Sequence, residues 1–365
     1  MSRADMKQNE ITRARLLEHL RSYPEMQTED AFKYIFQSAF GCEHLIHSRE
    51  GALAYLMREC EALSPSEEPR TDPLDGGYSR VHLSWLNAGL SAETLTRLFC
   101  LSARVEADGR DRLLEKLEVA TRMVEDSELP FNSGDFRTAL ESWREIGFPA
   151  IHHSDRFRAE YRPSYRVIAN EYVAFLPIFA AIDRLLSKGR ITVAIEGGSA
   201  SGKSTLADIL KRVYDCNIFH MDDFFLRPHQ RTAERLAEVG GNIDRERFLS
   251  EVLLPLSRGE RVSYRRFDCQ TSDLSEPTTV TDTPLTVIEG VYSMHPDLSE
   301  HYDLSVFLSI SPAYQRERIL KRNAPKFAER FFNEWIPLES RYFSELRIKE
   351  KCRLVVDVDS INARS

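Results

Sequence analysis

The chain is 365 residues long, which exceeds one typical hydrophobic core and predicts two domains. Hydrophobic residues make up 42% and charged residues 29% of the sequence, as in an ordinary globular protein, and no apolar run approaches the roughly 18 to 20 residues of a membrane span. The formal net charge of -8 argues against general affinity for nucleic acid, because binding to a phosphate backbone relies on a basic surface.

The cysteines and the first residues of the chain bear on its location. Six cysteines are scattered without a C-x-x-C pair, which argues against a zinc knuckle or a disulfide framework and favours reduced thiols. Residues 1–20 contain no apolar core followed by a small-residue cleavage site, so they do not resemble a secretory signal. We therefore expect a cytoplasmic protein with no membrane partner, and the sequence is compatible with a homo-oligomer.

Residues 1–185 are predicted to form a mostly α-helical N-terminal domain, because apolar residues recur three and four positions apart between clear breaks. Residues 29–40 predict a helix with Thr28 as its N-cap and Gly41 at its end. Residues 64–77 are rich in proline, glycine and acidic residues and predict an exposed loop. Other helices are predicted over residues 91–105, 111–125 and 136–143 and, after Pro163, over residues 167–187.

Residues 152–166 carry four arginines among aromatic residues. Guanidinium groups bind phosphate through paired hydrogen bonds, while neighbouring rings stack on planar groups. Arg162 and Arg166 are therefore predicted to bind substrate. The alternative is a structural role, in which these arginines pair with acidic residues such as Asp155 and Glu160.

A second polar segment of this half places Gln37, Glu43 and His44 around a helix-ending glycine. A metal site made of Glu43, His44, His152 and His153 is an alternative interpretation, although neither segment has a regular ligand spacing. Our hypothesis is that the N-terminal half forms one wall of the substrate pocket or binds a regulatory metabolite.

Residues 186–365 are predicted to form a second domain of a different class. Short apolar runs typical of strands alternate here with helical stretches, which predicts a parallel sheet covered by helices on both faces. The predicted strands are residues 191–195, 217–221, 285–289, 304–310 and 353–358.

The stretch GGSASGKST, residues 197–205, fits the phosphate-binding pattern G-x-x-x-x-G-K-[ST] between a predicted strand and a predicted helix. Its glycines allow a tight turn that points backbone N–H groups at phosphate oxygens, and the helix N-terminus adds partial positive charge. Lys203 is predicted to bridge the outer phosphates of ATP, and Ser204 to bind Mg²⁺. The predicted ATP-binding residues are Gly197, Gly198, Ser199, Ala200, Ser201, Gly202, Lys203, Ser204 and Thr205.

The next predicted strand ends in HMDDFF, which places Asp222 and Asp223 at the carboxyl edge of the sheet, where ligands bind in open α/β folds. Phosphoryl transfer to a hydroxyl needs a carboxylate that accepts the hydroxyl proton. Asp222 is the predicted catalytic base, whereas a cap of the following turn explains Asp223 equally well.

These motifs resemble the group of P-loop kinases that contains uridine kinase, nicotinamide riboside kinase and phosphoribulokinase. Residues 197–205 are similar to the uridine kinase form of the loop, and MDDFF, residues 221–225, to the riboside kinase form of the base-bearing segment. The resemblance covers about residues 191–357 and implies an α/β P-loop kinase domain with a parallel sheet flanked by helices. It assigns nothing to the helical N-terminal half.

The resemblance also implies substrate-binding residues. GGNIDRERF, residues 240–248, is similar to a segment whose aspartate binds ribose hydroxyls, and it gives that role to Asp244. RRFDCQT, residues 265–271, resembles a substrate-pocket loop and implies Phe267 and Asp268. Uridine kinases continue this loop with a histidine that helps to bind the base, whereas this chain has Ser272, so the likeness does not carry pyrimidine specificity.

Further matches imply the metal site and the lid. TVIEG, residues 286–290, resembles the second acidic strand and gives Glu289 a place beside Mg²⁺, which needs only one or two protein carboxylates. YQRERILKRN, residues 314–323, resembles the start of the lid, which implies Arg318 and Arg322 as catalytic cations, with Lys321 as an equal candidate. A solvated helix face is the alternative for all three.

The sequence therefore predicts an ATP- and Mg²⁺-dependent kinase that phosphorylates a hydroxyl of a small-molecule acceptor, a nucleoside or a ribose-like compound. One alternative is an ATP-sensing regulator whose helical half binds a partner protein. The other is a bifunctional enzyme with a second activity in the N-terminal half.

Overall fold

The computed structural model describes residues 3–42, 48–61, 63–65 and 67–362. The chain divides into two compact units, Met1–Ala180 and Ala181–Arg364, called here the first and the second unit. The boundary at residue 185 predicted from the sequence falls inside the helix Leu176–Leu186, which the division at residue 180 also crosses.

The first unit is mainly helical, and its helix Thr28–Phe40 is buried along most of its length. The Phe32 ring packs against Phe136 and Trp143, with 5.1 Å between ring centroids in each pair. This helix ends as predicted at Gly41, whose φ of 61° is left-handed, but it begins one residue early, so that Gln27 is the N-cap. The other helices are Arg3–Ser22, Arg49–Cys60, Leu83–Leu86, Ala92–Ser102, Gly109–Glu125, Ser133–Glu145, Asp155–Tyr161 and Asn170–Val173.

A three-stranded antiparallel sheet in the first unit differs from the sequence prediction. Tyr78–His82 is its central strand, between Thr71–Pro73 and Tyr165–Ala169. The strand Tyr165–Ala169 replaces the start of the long helix predicted after Pro163, and Thr71–Pro73 lies inside the predicted loop. Tyr165–Ala169 becomes a strand because its backbone pairs with residues more than eighty positions earlier, a partner that local helical spacing cannot reveal.

The second unit is built on a five-stranded sheet in which every paired neighbour is parallel. Its strands in spatial order are Leu354–Asp357, Leu304–Ser309, Ile191–Gly197, Leu285–Glu289 and Cys216–His220. This arrangement confirms the predicted fold class, because each of the five predicted strands is present with ends shifted by at most two residues. The side chains of the central strands are buried, since helices cover the sheet.

The connections of the second unit carry short elements and the helices around the sheet. Two small antiparallel strand pairs lie in the connection between the sheet strands Cys216–His220 and Leu285–Glu289. They are Val262–Tyr264 with Thr278–Val280 and Phe267–Asp268 with Asp273–Leu274. The helices are Lys203–Val213, Met221–Phe224, Pro228–Gln230, Ala233–Ala237, Arg245–Phe248, Leu249–Leu253, Leu254–Ser257, Pro296–Ser299, Pro312–Arg322, Pro325–Arg330, Phe331–Trp335, Ile336–Glu345, Ile348–Lys351 and Val358–Asn362.

The register of the sheet brings three chain segments to one edge. Glu289, the last residue of its strand, pairs with Ile195 on one side and His220 on the other. The phosphate-binding pattern and the Asp222 segment therefore follow directly from strand ends that flank Glu289. Within the described part of the chain, no helix is long and apolar enough to cross a membrane.

Candidate active site

The phosphate-loop pattern, residues 197–205, forms a tight turn between the strand Ile191–Gly197 and the helix Lys203–Val213. Gly197 has a φ of 146°, and a Cβ there would lie 2.6 Å from the carbonyl oxygen of Leu308. Gly202 has a φ of 100° directly before the helix. Both positions require glycine, because a side chain would collide with backbone or strain the turn.

Two further observations show that this loop suits a phosphate. The Ser201 hydroxyl is buried in the loop and has no hydrogen-bond partner in the described part of the protein. Lys203 Nζ donates hydrogen bonds to the carbonyl oxygens of Gly197 and Gly198, at 2.9 and 3.0 Å, which holds its charge over the loop. A free buried donor and a positioned ammonium group at a helix N-terminus are features of an anion site.

Glu289, His220 and Ser204 form a connected polar group at the edge of the sheet. Ser204 Oγ donates to Glu289 Oε1 at 3.2 Å, and His220 Nδ1 lies 2.6 Å from the same oxygen. Burial raises the pKa of Glu289, but the His220 hydrogen bond and the Lys203 charge outweigh it and lower the pKa below its ordinary value. An ionised carboxylate beside a serine hydroxyl supplies the oxygen ligands that Mg²⁺ prefers.

Asp222 lies in the short helix Met221–Phe224 that follows the strand Cys216–His220. Its carboxylate faces the cleft, and partial desolvation by the surrounding protein, together with the Glu289 charge, raises its pKa against the opposing effect of Lys203. Asp223 instead forms an ion pair with Arg266, with 3.5 Å between Oδ2 and Nε. The two neighbouring aspartates therefore have different surroundings, and only Asp222 lies in the cleft beside the phosphate loop.

Most of the predicted ATP-binding and catalytic residues line a cleft of about 1030 Å³. Six of the nine loop residues line it, together with Asp222 and Glu289, while Gly197, Gly198 and Ser201 form the loop behind the surface. The lid helix, defined here as Pro312–Arg322, contributes its cations. The lining residues named as sites in the sequence analysis are Ser199, Ala200, Gly202, Lys203, Ser204, Thr205, Asp222, Glu289, Arg318, Lys321 and Arg322.

The lid helix is joined to the phosphate loop by direct hydrogen bonds. Arg318 Nη1 donates to the carbonyl oxygen of Ala200 at 2.9 Å, and Gln315 Nε2 donates to that of Ser199 at 2.8 Å. Arg318 is therefore held against the loop, whereas Lys321 and Arg322 are exposed on the cleft wall.

The predicted substrate residues of the second unit lie outside the lining of this cleft as far as the described residues define it. The Asp244 carboxylate is buried and already accepts hydrogen bonds from Gln230 Nε2 at 2.9 Å and from the Arg247 backbone at 3.2 Å. Phe267 is buried beneath the Arg231 guanidinium, and Asp268 accepts a backbone hydrogen bond within its own turn.

The predicted substrate residues of the first unit also have defined surroundings. Arg166 Nη2 lies 2.6 Å from Glu59 Oε2, so this buried guanidinium has an ion-pair partner. Arg162 ends the helix Asp155–Tyr161 with a left-handed φ of 43° and lines a cavity of about 520 Å³ beside Arg70 and His82. Arg158 pairs with Asp155, as in the structural alternative considered for this segment.

Half of the metal site considered for the first unit falls on residues that the structure does not describe. Glu43 and His44 lie outside the described ranges. Both ring nitrogens of His153 have other partners, Asp30 Oδ1 at 2.8 Å and the Tyr165 hydroxyl at 2.7 Å.

Sequence reasoning missed several residues of the cleft. Asn242, Tyr292 and Glu339 line it close to the phosphate loop and Asp222. Glu196 lies directly behind the loop, fully buried, and accepts a hydrogen bond from the Gly197 backbone at 2.9 Å. The charged residue at the end of an otherwise apolar strand was a usable signal for Glu196, whereas nothing in the local pattern marks Asn242, Tyr292 or Glu339.

The second unit has a parallel α/β sheet with a glycine-rich phosphate-loop pattern at one edge. Residues 192–326 match the model of the Phosphoribulokinase / Uridine kinase family, which confirms the resemblance drawn from the motifs. The matched segment leaves out the first unit and the helix that carries Glu339.

Similarity to individual proteins is limited to part of the chain. A bifunctional alpha-galactosidase/sucrose kinase, AgaSK of Mediterraneibacter gnavus, is 30% identical over 159 residues, which are 38% of this chain, and the chain spans only 17% of that protein. A solved structure described as a possible uridine kinase from Bacillus stearothermophilus is 21% identical, with a TM-score of 0.37, and the match covers 49% of this chain and 99% of that one.

Proposed function

We propose that this chain is an ATP- and Mg²⁺-dependent kinase that transfers the γ-phosphoryl group to a hydroxyl of a small molecule, a nucleoside or a ribose-like acceptor. The observation that carries the proposal is the placement of Lys203, Ser204, Glu289 and Asp222 around one cleft beside a loop shaped for phosphate. A loop that only sensed ATP would need no carboxylate such as Asp222 facing the same space.

Each of these residues has a distinct task in the proposed reaction. Lys203 balances the charge of the phosphoryl group in transfer, and Arg318 adds a second cation from the lid helix. Asp222 accepts the proton of the acceptor hydroxyl. At the same time the hydroxyl oxygen bonds to the γ-phosphorus, and the bond from that phosphorus to the leaving ADP oxygen breaks. Arg322 and Lys321 line the cleft further along the same helix and are the remaining candidates for charge balance.

Ser204 and Glu289 are the residues proposed to hold Mg²⁺, because their oxygens lie 3.2 Å apart at the start of the helix that follows the loop. When bound there, the cation supplies positive charge to the phosphate oxygens. His220 stays with Glu289 and keeps that carboxylate ionised.

Five residues are proposed to bind the acceptor. Asp244, Phe267 and Asp268 remain proposed substrate residues by family resemblance, and Arg162 and Arg166 by their arginine chemistry. A carbohydrate hydroxyl is a second candidate acceptor, since part of this chain is 30% identical to a protein named as a sucrose kinase. We also propose a cytoplasmic location, which the six free cysteine thiols support.

The test is ADP release with MgATP across ribonucleosides, nicotinamide riboside, pentoses, fructose and sucrose. We expect one class of acceptor to stimulate release, Asp222→Asn to abolish the stimulation, and Lys203→Ala to lower turnover by about 10³-fold or more without unfolding the protein. Circular dichroism of each variant is the folding control.

Normal phosphorylation by the Lys203→Ala variant would contradict the kinase assignment. Tight ATP binding without stimulation by any acceptor would favour the alternative of an ATP-sensing regulator. Release that persists in the Asp222→Asn variant would point instead to a second activity elsewhere in the chain.

A further inference from the structure

Glu339, from the helix Ile336–Glu345, places a carboxylate inside the phosphate loop. Its Oε2 accepts a hydrogen bond from the Ser199 backbone N–H at 2.8 Å, and its Oε1 accepts one from the Ser199 hydroxyl. The side chain is only 5% exposed, yet it belongs to the lining of the cleft. The Glu339 carboxyl group therefore occupies a backbone donor of the loop in which phosphate is expected to bind.

A structural role does not explain why residue 339 is a glutamate. No arginine, lysine or histidine forms an ion pair with it among the described residues, and burial raises the pKa of its carboxyl group against the opposing effects of the Ser199 hydrogen bonds and the Lys203 charge, so the ionised form carries a desolvation cost that these groups offset only in part. A glutamine oxygen could accept the Ser199 N–H equally well, without that cost and without repelling the phosphates of ATP. Glutamate rather than glutamine at this position indicates a further hydrogen-bond donor that binds and favours the carboxylate.

The surroundings of Glu339 show where such a donor would come from. Tyr292 and Asn242 line the same cleft as Glu339. Asp222 lines it as well, so the two carboxyl groups face a common space. The two hydrogen bonds from Ser199 leave about two of the four lone-pair positions of Glu339 open.

We propose that Glu339 determines acceptor specificity, by accepting a hydrogen bond from a second hydroxyl of the acceptor whose reacting hydroxyl faces Asp222. This inference rests on the proposed kinase function and narrows the acceptor to a polyhydroxylated, sugar-like molecule. Tyr292 and Asn242 are the polar side chains placed to complete this subsite.

The experiment compares the wild-type protein with Glu339→Gln and with the matched control Glu345→Gln, which changes an exposed glutamate of the same helix away from the cleft. The acceptor is the compound of the sugar and nucleoside panel that gives Asp222-dependent ADP release, used with its monodeoxy analogues. We expect Glu339→Gln to raise the KM for the acceptor about 10-fold or more, as for loss of a hydrogen bond to a charged group, and to change the KM for MgATP less than about twofold.

One monodeoxy analogue should show the same KM with the wild-type protein and with Glu339→Gln, because it lacks the hydroxyl that Glu339 binds. With the wild-type protein alone, that analogue should already have a KM about 10-fold higher than the parent compound, a measurement that does not depend on the variant folding. Glu345→Gln should behave as the wild-type protein with every compound.

A rise in the KM for MgATP equal to that for the acceptor would overturn the inference, since it would place Glu339 in the phosphate site alone. The inference would also be overturned if Glu339→Gln raised the KM of every monodeoxy analogue by the same factor. If no compound stimulates ADP release, the proposed function itself fails, and the specificity role falls with it. Release without any Glu339 dependence contradicts only the specificity role.

Discussion

Glu196 is a fully buried carboxylate behind the phosphate loop, with hydrogen bonds from the backbones of Gly197 and Met294 and from the Tyr342 hydroxyl, at 2.9, 3.1 and 3.0 Å. Despite these donors, burial raises its pKa from the ordinary 4.5 to about 7. The folded protein therefore keeps a proton on Glu196 over a pH range in which the unfolded chain has released it.

This difference in proton binding predicts how the free energy of unfolding depends on pH. The contribution of Glu196 to the free energy of unfolding is fully present below pH 4.5. It is lost as the pH rises to about 7, because in that range the folded state binds more protons than the unfolded state. The integrated loss is about 3 kcal/mol. Urea unfolding at intervals from pH 4.5 to pH 8 measures it.

The variant Glu196→Gln removes the titrating group, so its free energy of unfolding should fall less steeply over the same pH range. Other groups with raised pKa values, such as Asp222 and Glu339, act in the same direction in both proteins and cancel in the difference. Parallel curves for the two proteins would show that Glu196 is ionised in the folded state at all these pH values.

The hairpin turn between Thr71–Pro73 and Tyr78–His82 depends on its glycines to different degrees. Gly76 and Gly77 have left-handed φ values of 83° and 85°. A Cβ at Gly76 would lie 2.0 Å from the Ser38 carbonyl oxygen in the helix Thr28–Phe40, whereas a Cβ at Gly77 would meet nothing within 4 Å. The two positions thus separate the effect of backbone conformation from that of close packing.

Gly77→Ala should lower the free energy of unfolding by about 1 kcal/mol, the usual cost of a left-handed conformation at a residue with a Cβ. Gly76→Ala should lower it by about 2 to 3 kcal/mol more, because the helix or the turn must move to make room. Urea unfolding of both variants tests this, with Gly77→Ala as the control for backbone strain. Equal losses would mean that the turn can shift away from the helix at little cost.

At the scale of the whole molecule, all residues proposed to bind ATP and Mg²⁺ lie in the second unit. A truncated protein that begins at Leu176, and so keeps the complete helix Leu176–Leu186, should bind MgATP with a Kd within about twofold of that of the full chain. Isothermal titration calorimetry of the two proteins measures this, and circular dichroism shows whether the shorter one folds.

The same truncated protein tests the hypothesis for the first unit. Loss of acceptor affinity with MgATP binding intact is the expected result if the helical half forms a wall of the substrate pocket. Full activity with an unchanged KM for the acceptor would contradict that role. A folded truncated protein that fails to bind MgATP would place part of the nucleotide site outside the second unit.

Features that depend on residues close together in the chain could be predicted from the amino-acid sequence. A strand, a glycine-rich turn and a helix within residues 191–213 predict a phosphate-binding loop through local backbone geometry, and the alternation of short strands and helices predicts a parallel sheet, which the structure confirms. The positions of Asp222, just after a strand, and of Glu289, at the end of another, could be predicted in the same way, because parallel strands end at one edge of the sheet.

The remaining features could not be predicted, because they depend on contacts between residues far apart in the chain. Tyr165–Ala169 is a strand because Tyr78–His82 pairs with it, and the Asp244 carboxylate accepts a hydrogen bond from Gln230, 14 positions earlier in the chain. Glu339 meets Ser199 across 140 positions, a juxtaposition that no spacing rule contains. Local patterns report which bonds a residue can make with its neighbours in sequence, whereas the packing of the sheet and its helices determines which distant side chains share a cleft.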